Sequence, residues 1–255
     1  MYPVNPQIVS SLIRLNQRFY TACAQSFDDT RADAGSELEP AVELIRYHPC
    51  ILDVGCGNGR LQRRYHQVRP DGIYVGIDFS GMLLEKAKKE LSGPFASNDT
   101  HATFLHADIA SFDWAEKLLS PLTHAIPFSA VAMLAVLHHI PSTDLRVQAI
   151  REAVRFLRSE GTLIISTWQF ADNERMKRKI IDPRHAGINP GDLDPGDHIL
   201  SWKRDGRGYR YCRHIDIDEL HSLASSCGLV ITRSFRAGGK EGNLSLFGIL
   251  RPNTD

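Results

Sequence analysis

Hydrophobic positions along the chain change between helical spacing and short continuous runs, which is typical of a layered α/β protein. Residues 6–26 carry apolar side chains at helical spacing, and a second helical stretch covers about residues 36–48. From there, predicted strands cover Cys50–Val54, 72–78, 102–109, 128–137 and 162–168, and predicted helices cover 81–92 and 144–161. Apolar strands separated by helices predict a parallel sheet covered on both faces.

The pattern changes over residues 170–208, which are rich in Gly, Pro, Asp and Arg and are predicted to form a loop-rich insertion or lid. Order returns with "GYRYCRHID", a helix over 217–228, and two strands, 229–235 and 244–251, suited to an antiparallel hairpin. The predicted fold is therefore α/β: a doubly wound, mostly parallel, seven-stranded, Rossmann-like sheet with an antiparallel C-terminal hairpin.

We expect one domain over residues 1–255. Its predicted parts are N-terminal helices in 1–49, a cofactor-binding core in 50–169, the insertion in 170–208, and C-terminal elements in 209–255 that complete the sheet.

Composition narrows the class of protein. Hydrophobic residues make up 42% of the chain, and 30 basic side chains balance 30 acidic ones. Zero net charge argues against non-specific coating of nucleic acid, although a local basic face remains compatible with it. The five cysteines contain no CxxC pair, so reduced thiols are expected, without a disulfide frame or metal site. No secretion signal or apolar run of membrane length is evident, so we expect a cytoplasmic protein without a membrane partner.

A glycine-rich loop, "DVGCGNG", follows the first predicted strand. Its alternating glycines match neither the dinucleotide fingerprint nor a phosphate-binding P-loop. The D-x-G-x-G-x-G pattern is instead typical of S-adenosylmethionine sites, where glycines let the backbone approach the ligand. The predicted binding residues in this loop are Asp53, Gly55, Cys56, Gly57, Asn58 and Gly59.

Acidic residues also stand at the ends of the next two predicted strands. Asp78 ends the second strand, where a carboxylate can accept hydrogen bonds from both ribose hydroxyls, and Asp108 follows the third strand, beside the expected adenine. Each aspartate alone is explained equally well as a helix cap. Their order on successive strand ends favours S-adenosylmethionine as the cofactor. The remaining predicted cofactor residues are Phe79, Ser80, Ala107, Ile109 and Ala135.

With these motifs in place, residues 25–170 resemble class I methyltransferases. Motifs spread over most of the chain, including "FDDTR", "AVLHHIPSTDLRVQAIREAVRFL", "GDHILSWK" and "GYRY", resemble more narrowly the tRNA methyltransferases that esterify 5-carboxymethyluridine at the wobble position. The chain departs from that group at "RYCR", where "RYYH" is usual, and at "GNLSLF", which lacks an expected tryptophan. The resemblance implies tRNA as substrate, a small zinc-binding activator subunit, and Arg31 facing the cofactor's carboxylate.

Four residues are predicted to shape the acceptor pocket: His138, His139, Trp168 and Arg210. The histidines follow the fourth predicted strand, beside the transferring methyl group, and Arg210 is suited to grip a carboxylate. A carboxylate acceptor is ionised at neutral pH and needs no general base. Plainer interpretations stay open: the histidines bond the backbone, Trp168 lines the core, and the Lys/Arg run within 175–179 is a solvated helix face.

We therefore predict an S-adenosylmethionine-dependent methyltransferase that acts on the carboxylate of 5-carboxymethyluridine in tRNA. One alternative is an O- or N-methyltransferase of a small metabolite, which zero net charge favours. The other is a non-catalytic cofactor-binding or scaffold subunit. Cofactor turnover separates the scaffold from both enzymes, and a requirement for tRNA separates the two enzymes.

Overall fold

A computed structural model describes residues 5–23, 35–91, 101–111, 113–119, 127–203 and 208–253. The helices are α1 (Pro6–Ala22), α2 (Gly35–Ile45), α3 (Arg60–Val68), α4 (Gly81–Leu91), α5 (Glu116–Leu119), α6 (Thr143–Val154), α7 (Glu174–Lys177) and α8 (Ile217–Ser226). The strands are β1 (Cys50–Val54), β2 (Ile73–Asp78), β3 (Ala102–His106), β4 (Phe128–Leu134), β5 (Leu157–Trp168), β6 (Ile180–Ile181), β7 (Asp197–Trp202), β8 (Gly208–Arg213), β9 (Leu229–Ala237) and β10 (Ser245–Pro252). Short 3-10 turns cover Leu137–His139, Pro183–Ala186 and Pro190–Asp192.

Seven strands form the main sheet in the order β3-β2-β1-β4-β5-β10-β9. Strands β1 to β5 are parallel, while β10 pairs antiparallel with both β5 and β9. The predicted fold class is confirmed, including the C-terminal hairpin. The strand order reverses between β1 and β4, and such a switch point opens a crevice at the carboxyl ends of the strands.

Both faces of the central strands of the main sheet are buried, as their apolar sequences predict. Successive β1 residues point to opposite faces, so Leu52 packs in one apolar cluster and Ile51 in the other. The first cluster holds α6 and α8 against the sheet, and the second holds α2, α3 and α4. This rigid centre fixes the strand ends around the crevice.

The helix predicted over residues 144–161 is shorter than expected. Helix α6 ends at Val154, and β5 already begins at Leu157. The pairing of β4 with β5 shifts register between Phe128 and Ala130, so the chain bulges at this edge. A Cβ at Gly161 would lie 2.5 Å from Leu157 Cγ, so this glycine allows a close fold of the strand and does not stop the helix.

A second, three-stranded antiparallel sheet, β6-β7-β8, lies within the region predicted as loops. The loop prediction is therefore wrong for β7, whose Ile199 and Leu200 are buried. The "GYRY" segment forms β8 and pairs with β7, so it does not complete the main sheet. Glycine and proline residues flank these strands in the sequence. Because such residues are typical of loops, the short apolar segments between them were not predicted as strands. The division of the chain into domain parts stays a prediction.

Helix α1 is fastened to β8 by one buried side chain, Asn16. Its Nδ2 donates to the carbonyl of Tyr211 at 3.2 Å, and its Oδ1 accepts from the Tyr211 N–H at 2.8 Å. The same Nδ2 donates to the carbonyl of His139 at 2.9 Å. Asn16 thus completes the hydrogen bonding of an edge strand and joins α1 to the loop after β4. No described helix combines the length and apolar character that a membrane crossing needs.

Candidate active site

A cavity that is open to solvent lies at the switch point of the main sheet, and the space within it and its open mouth amounts to about 880 Å³. Its wall combines strand-end residues with one face of α1. The strand-end part contains Gly55, Gly57, Asp78, Phe79, Ala107, Asp108, Ile109, Ala135 and His139. The α1 part contains Ile13, Asn16, Gln17 and Tyr20. The structure therefore brings the loops after β1 to β4 together around one pocket.

The glycine loop turns through left-handed backbone conformations. Gly55 has φ +82° and Gly57 has φ +55°. A Cβ at Gly55 would lie 2.6 Å from Val136 Cγ2, so only glycine fits against the loop after β4. At Gly57 the nearest atom to such a Cβ is Leu83 Cδ1 at 4.0 Å, so the backbone conformation alone favours glycine there. The loop presents main chain to the cavity.

Asp78, at the end of β2, is a nearly buried carboxylate on the cavity wall. Its Oδ2 accepts from the Gly57 N–H at 2.9 Å, and its Oδ1 accepts from the Ser80 N–H at 2.8 Å. Burial raises the pKa of Asp78, and these two backbone bonds oppose the rise. Each oxygen can still accept a further hydrogen bond, which suits a pair of ribose hydroxyls.

Asp53 lines a groove that adjoins the cavity and shares Gly55 and Gly57 with it. Cys56 and Asn58 lie on the same groove, and Gly59 precedes the first turn of α3. The Tyr74 hydroxyl donates to Asp53 Oδ2. Burial raises the pKa of Asp53 to about 7, and the nearby charge of Asp78 adds to the rise.

Asp108 lies on the cavity wall after β3. Its Oδ1 accepts from the Ala110 N–H at 3.0 Å, and its Oδ2 accepts from Gln17 Nε2 at 3.0 Å. The contact from α1 was not predicted from the sequence. The sequence did contain one indication of this contact. Asn16 and Gln17 stand beside the apolar stripe of α1, where polar side chains can bond to a neighbouring element.

His139 faces the cavity, and neighbouring groups occupy both of its ring nitrogens. Nδ1 lies 3.1 Å from the carbonyl of Tyr211, so it carries the proton and donates. Nε2 therefore accepts from the Tyr20 hydroxyl at 2.7 Å. His138 is fully buried, and its Nδ1 accepts from the Trp168 N–H at 3.4 Å. The plainer interpretation of His138, a backbone bond, describes this contact.

Arg210 and Trp168 form a cluster behind His139. The guanidinium carbon of Arg210 lies 4.7 Å from the Trp168 ring centroid, 5.1 Å from that of Phe19 and 5.8 Å from that of Trp202. The Trp168 ring lies 5.7 Å from the His139 ring. The four predicted acceptor residues are thus connected, but among them the described wall of the cavity includes His139 alone. Their role toward an acceptor stays a prediction.

Ala135 and Arg31 are the remaining residues that the sequence predicts to bind the cofactor. Ala135 adopts φ +54°, a rare conformation for a residue with a Cβ, and its N–H donates to Ser166 Oγ at 3.0 Å. This turn directs the chain after β4 along the cavity. Arg31 lies outside the described residues, so its contact with the cofactor stays a prediction. Within the described part of the chain, no group of three or more His, Cys, Asp or Glu side chains is arranged to hold a metal ion.

Solved structures share this architecture. A methyltransferase from Methanosarcina mazei, described as SAM-dependent, superposes with a TM-score of 0.62 at 20% identity and covers 84% of this chain and 97% of its own. The complex of DhpI with SAM and HEP superposes with a TM-score of 0.64 at 18% identity and covers 95% of this chain and 98% of its own. At these identities the likeness establishes the fold.

Residues 52–163 match the family model described as "Methyltransferase domain". This segment runs from β1 into β5 and contains the glycine loop, Asp78 and Asp108. Over these residues the chain matches a methyltransferase domain, and its fold is that of S-adenosylmethionine-dependent methyltransferases. The residues present fit that cofactor, since they combine a glycine loop open to the cavity with a nearly buried carboxylate that retains acceptor capacity.

Relatives of the methyltransferase domain act on tRNA according to their names. A tRNA (carboxymethyluridine(34)-5-O)-methyltransferase of Arabidopsis thaliana is 28% identical over 151 residues, which cover 59% of this chain and 32% of the relative. A probable tRNA methyltransferase 9B of Mus musculus is 21% identical over 247 residues, which cover 96% of this chain and 48% of the relative. The chain therefore spans half or less of the length of these two relatives.

Proposed function

We propose that this protein methylates the carboxylate of 5-carboxymethyluridine at the wobble position of tRNA. The structural observation that supports this proposal is the state of His139. Tyr20 and the carbonyl of Tyr211 engage both of its ring nitrogens, so it is not placed to take a proton from an acceptor. A carboxylate acceptor, already ionised at neutral pH, requires no such step. The names of the tRNA relatives support the same substrate.

The remaining work of the chain is binding and alignment. Asp78 would hold the ribose, Asp108 the adenine side, and Asp53 the opposite, positively charged end of S-adenosylmethionine. When bound, this cofactor supplies an electrophilic methyl group on a cationic sulfur. The α1 face with Tyr20 and Gln17 forms one wall of the cavity and reduces the access of water from that side. Holding a nucleophile in line, in a partly dry pocket, accounts for a large share of the rate in such a displacement.

We also propose the partners implied by the narrower resemblance. These are tRNA as the substrate and a small zinc-binding activator subunit, with the reaction taking place in the cytoplasm. Arg210 and Trp168 lie behind His139, which lines the cavity that would receive the modified base.

The test uses a synthetic anticodon stem-loop that carries 5-carboxymethyluridine at the wobble position. The chain is incubated with this RNA and with methyl-labelled cofactor, alone and in an extract that supplies a partner. The matched control is the same stem-loop with the carboxymethyl group replaced by its amide, which lacks the nucleophile. We expect label on the acid alone, and its release as methanol by mild alkali, because a methyl ester hydrolyses readily.

Other outcomes identify the alternatives. Alkali-stable label would contradict the carboxylate as acceptor. Label on components of a metabolite extract but not on either RNA would establish the small-metabolite enzyme. Cofactor binding without turnover on any acceptor would favour the scaffold subunit.

A further inference from the structure

Helix α1 carries an exposed face of one charge sign. Arg14 and Arg18 lie one turn apart on this face, and the helix contains no acidic residue. Arg14 donates to Ser11 Oγ at 3.1 Å, and neither arginine forms an ion pair with another described residue. Like charges at this spacing destabilise a helix by a few tenths of a kcal/mol, so their placement has a small cost in the free protein.

Two surface grooves run along this arginine pair. The first is lined by Arg14, Gln17, Arg18, Thr21 and Ala22, and its described wall contains no carboxylate. The second lies between the arginine pair and residues 186–189, with Asp192 as the acidic residue on its described wall. Among the residues that the structure describes, the local charge along α1 is therefore positive, although the whole chain has zero net charge.

The arginine pair is held in a fixed position relative to the active-site cavity. Gln17 lies between the two arginines and lines both the first groove and the cavity. Its Nε2 donates to Asp108 at 3.0 Å, while Asn16 fastens the same turn to β8 and to His139. A ligand bound to the outer face of α1 would thus have a fixed position relative to the cofactor pocket.

We infer that Arg14 and Arg18 bind the phosphate backbone of the RNA whose modified base enters the cavity. This inference rests on the proposed function in that the acceptor is an RNA. Exposed arginines that form no ion pair with a described carboxylate, and that lie beside the cavity, suit the positioning of a nucleic acid, because phosphate contacts fix its register while a pocket selects the base. The arginine pair supplies affinity for RNA irrespective of the wobble modification.

The experiment measures binding of a fluorescent, unmodified anticodon stem-loop by anisotropy over a range of salt concentrations. The variant is Arg14→Glu/Arg18→Glu. The matched control is Arg158→Glu/Arg251→Glu, which makes the same change of charge. Both control arginines are exposed and lower the pKa of His48, so they lie at the opposite, amino-terminal edge of the sheet. A second variant, Arg14→Lys/Arg18→Lys, retains the positive charges.

We expect the glutamate variant to bind the stem-loop at least tenfold more weakly at 0.1 M salt, because two phosphate contacts are lost. The slope of log affinity against log salt concentration should become shallower by about 1.5. The lysine variant should recover most of the affinity, and the edge control should bind as the wild type does. Cofactor affinity, measured by calorimetry, should stay unchanged in the glutamate variant because neither arginine lines the cavity.

Equal weakening by the edge control, or unchanged binding in the glutamate variant, would overturn the inference. The proposed function is tested separately by the labelled ester. Loss of RNA binding in the glutamate variant without ester formation by the wild type would retain the surface and reject the reaction. Ester formation with unaltered kinetics in the glutamate variant would retain the proposed reaction and reject the arginine pair as an RNA-binding surface.

Discussion

Asp78 lines the cavity and Asp53 lines the adjoining groove, and the surroundings of the two carboxylates differ. Asp78 is held by two backbone N–H groups, which stabilise its charge. Asp53 is buried against the Tyr74 hydroxyl, and its pKa of about 7 lets it change charge near neutral pH. A cationic ligand affects these two groups differently, and the first two predictions rely on that difference.

Replacing Asp78 by alanine should weaken S-adenosylmethionine binding at least tenfold, as measured by calorimetry. Each hydrogen bond from a ribose hydroxyl to a charged carboxylate contributes on the order of 1.5–3 kcal/mol. The Gly57 N–H also loses its acceptor, which loosens the glycine loop. Asp71→Ala, at an exposed aspartate, is the control. Unchanged affinity in the Asp78 variant would remove Asp78 from the cofactor site.

The second prediction is that cofactor binding releases a proton from Asp53. The positive charges of S-adenosylmethionine favour the ionised carboxylate, so binding lowers the pKa of Asp53 from about 7. Affinity should then rise by up to about tenfold per pH unit as pH approaches 7 from below, and level off above it. Calorimetry in two buffers of different ionisation enthalpy counts the protons released.

Tyr74→Phe provides the matched variant for this measurement. The lost hydrogen bond had favoured the charged form of Asp53, so the pKa rises further and the pH at which affinity levels off moves upward. In the ligand-free protein, Asp53 has the opposite effect on the stability of the fold: its contribution decreases as the pH rises. Because the folded chain binds this proton more tightly than the unfolded chain, the free energy of unfolding contributed by Asp53 falls between about pH 4 and pH 7. A cofactor affinity independent of pH would contradict the assignment.

Helix α1 is the element that links the main sheet, the small sheet and the cavity. Replacing Asn16 by alanine leaves the N–H and carbonyl of Tyr211 without these buried partners. The free energy of unfolding should fall by about 1–3 kcal/mol, measured by chemical denaturation. Cofactor affinity should fall as well, because Gln17 shifts away from Asp108 with the helix.

The control for Asn16 is Gln7→Ala, on an exposed position of the same helix. It should change the free energy of unfolding by less than about 0.5 kcal/mol. If both variants behave alike, the contribution comes from helix propensity, and the bond to β8 is unimportant for stability.

The predictability of each element follows from the kind of signal it carries. Strands β1, β2 and β4 are mostly apolar and β3 carries a shorter apolar segment, so these strands and the acidic residues at or near their ends could be located from the sequence. Strand β7 is short and stands among glycines and prolines, so its local composition indicated a loop. The contacts of Gln17 and Tyr20 depend on how α1 docks, which periodicity along one helix does not encode.

At the scale of the whole molecule, ligand binding should stabilise the fold by mass action. At a cofactor concentration one hundred times the Kd, the added stability is about 2.7 kcal/mol. For a chain of this size that corresponds to an increase in Tm of about 5–10 °C. Differential scanning calorimetry tests this, with Asp78→Ala at the same concentration as the control. An equal increase in both proteins would place the stabilising ligand outside the cavity described.

The bond between Asn16 and Tyr211 joins positions 195 residues apart in sequence. During synthesis the amino-terminal helix leaves the ribosome long before its docking strand exists. The glycine loop and the parallel strands can assemble in that interval, but α1 cannot dock until the carboxyl-terminal segment has been synthesised. The cofactor pocket is thus completed last, and a chain that ends before the "GYRY" strand would retain the parallel strands β1 to β5 but lack β9, β10 and the strand on which α1 docks.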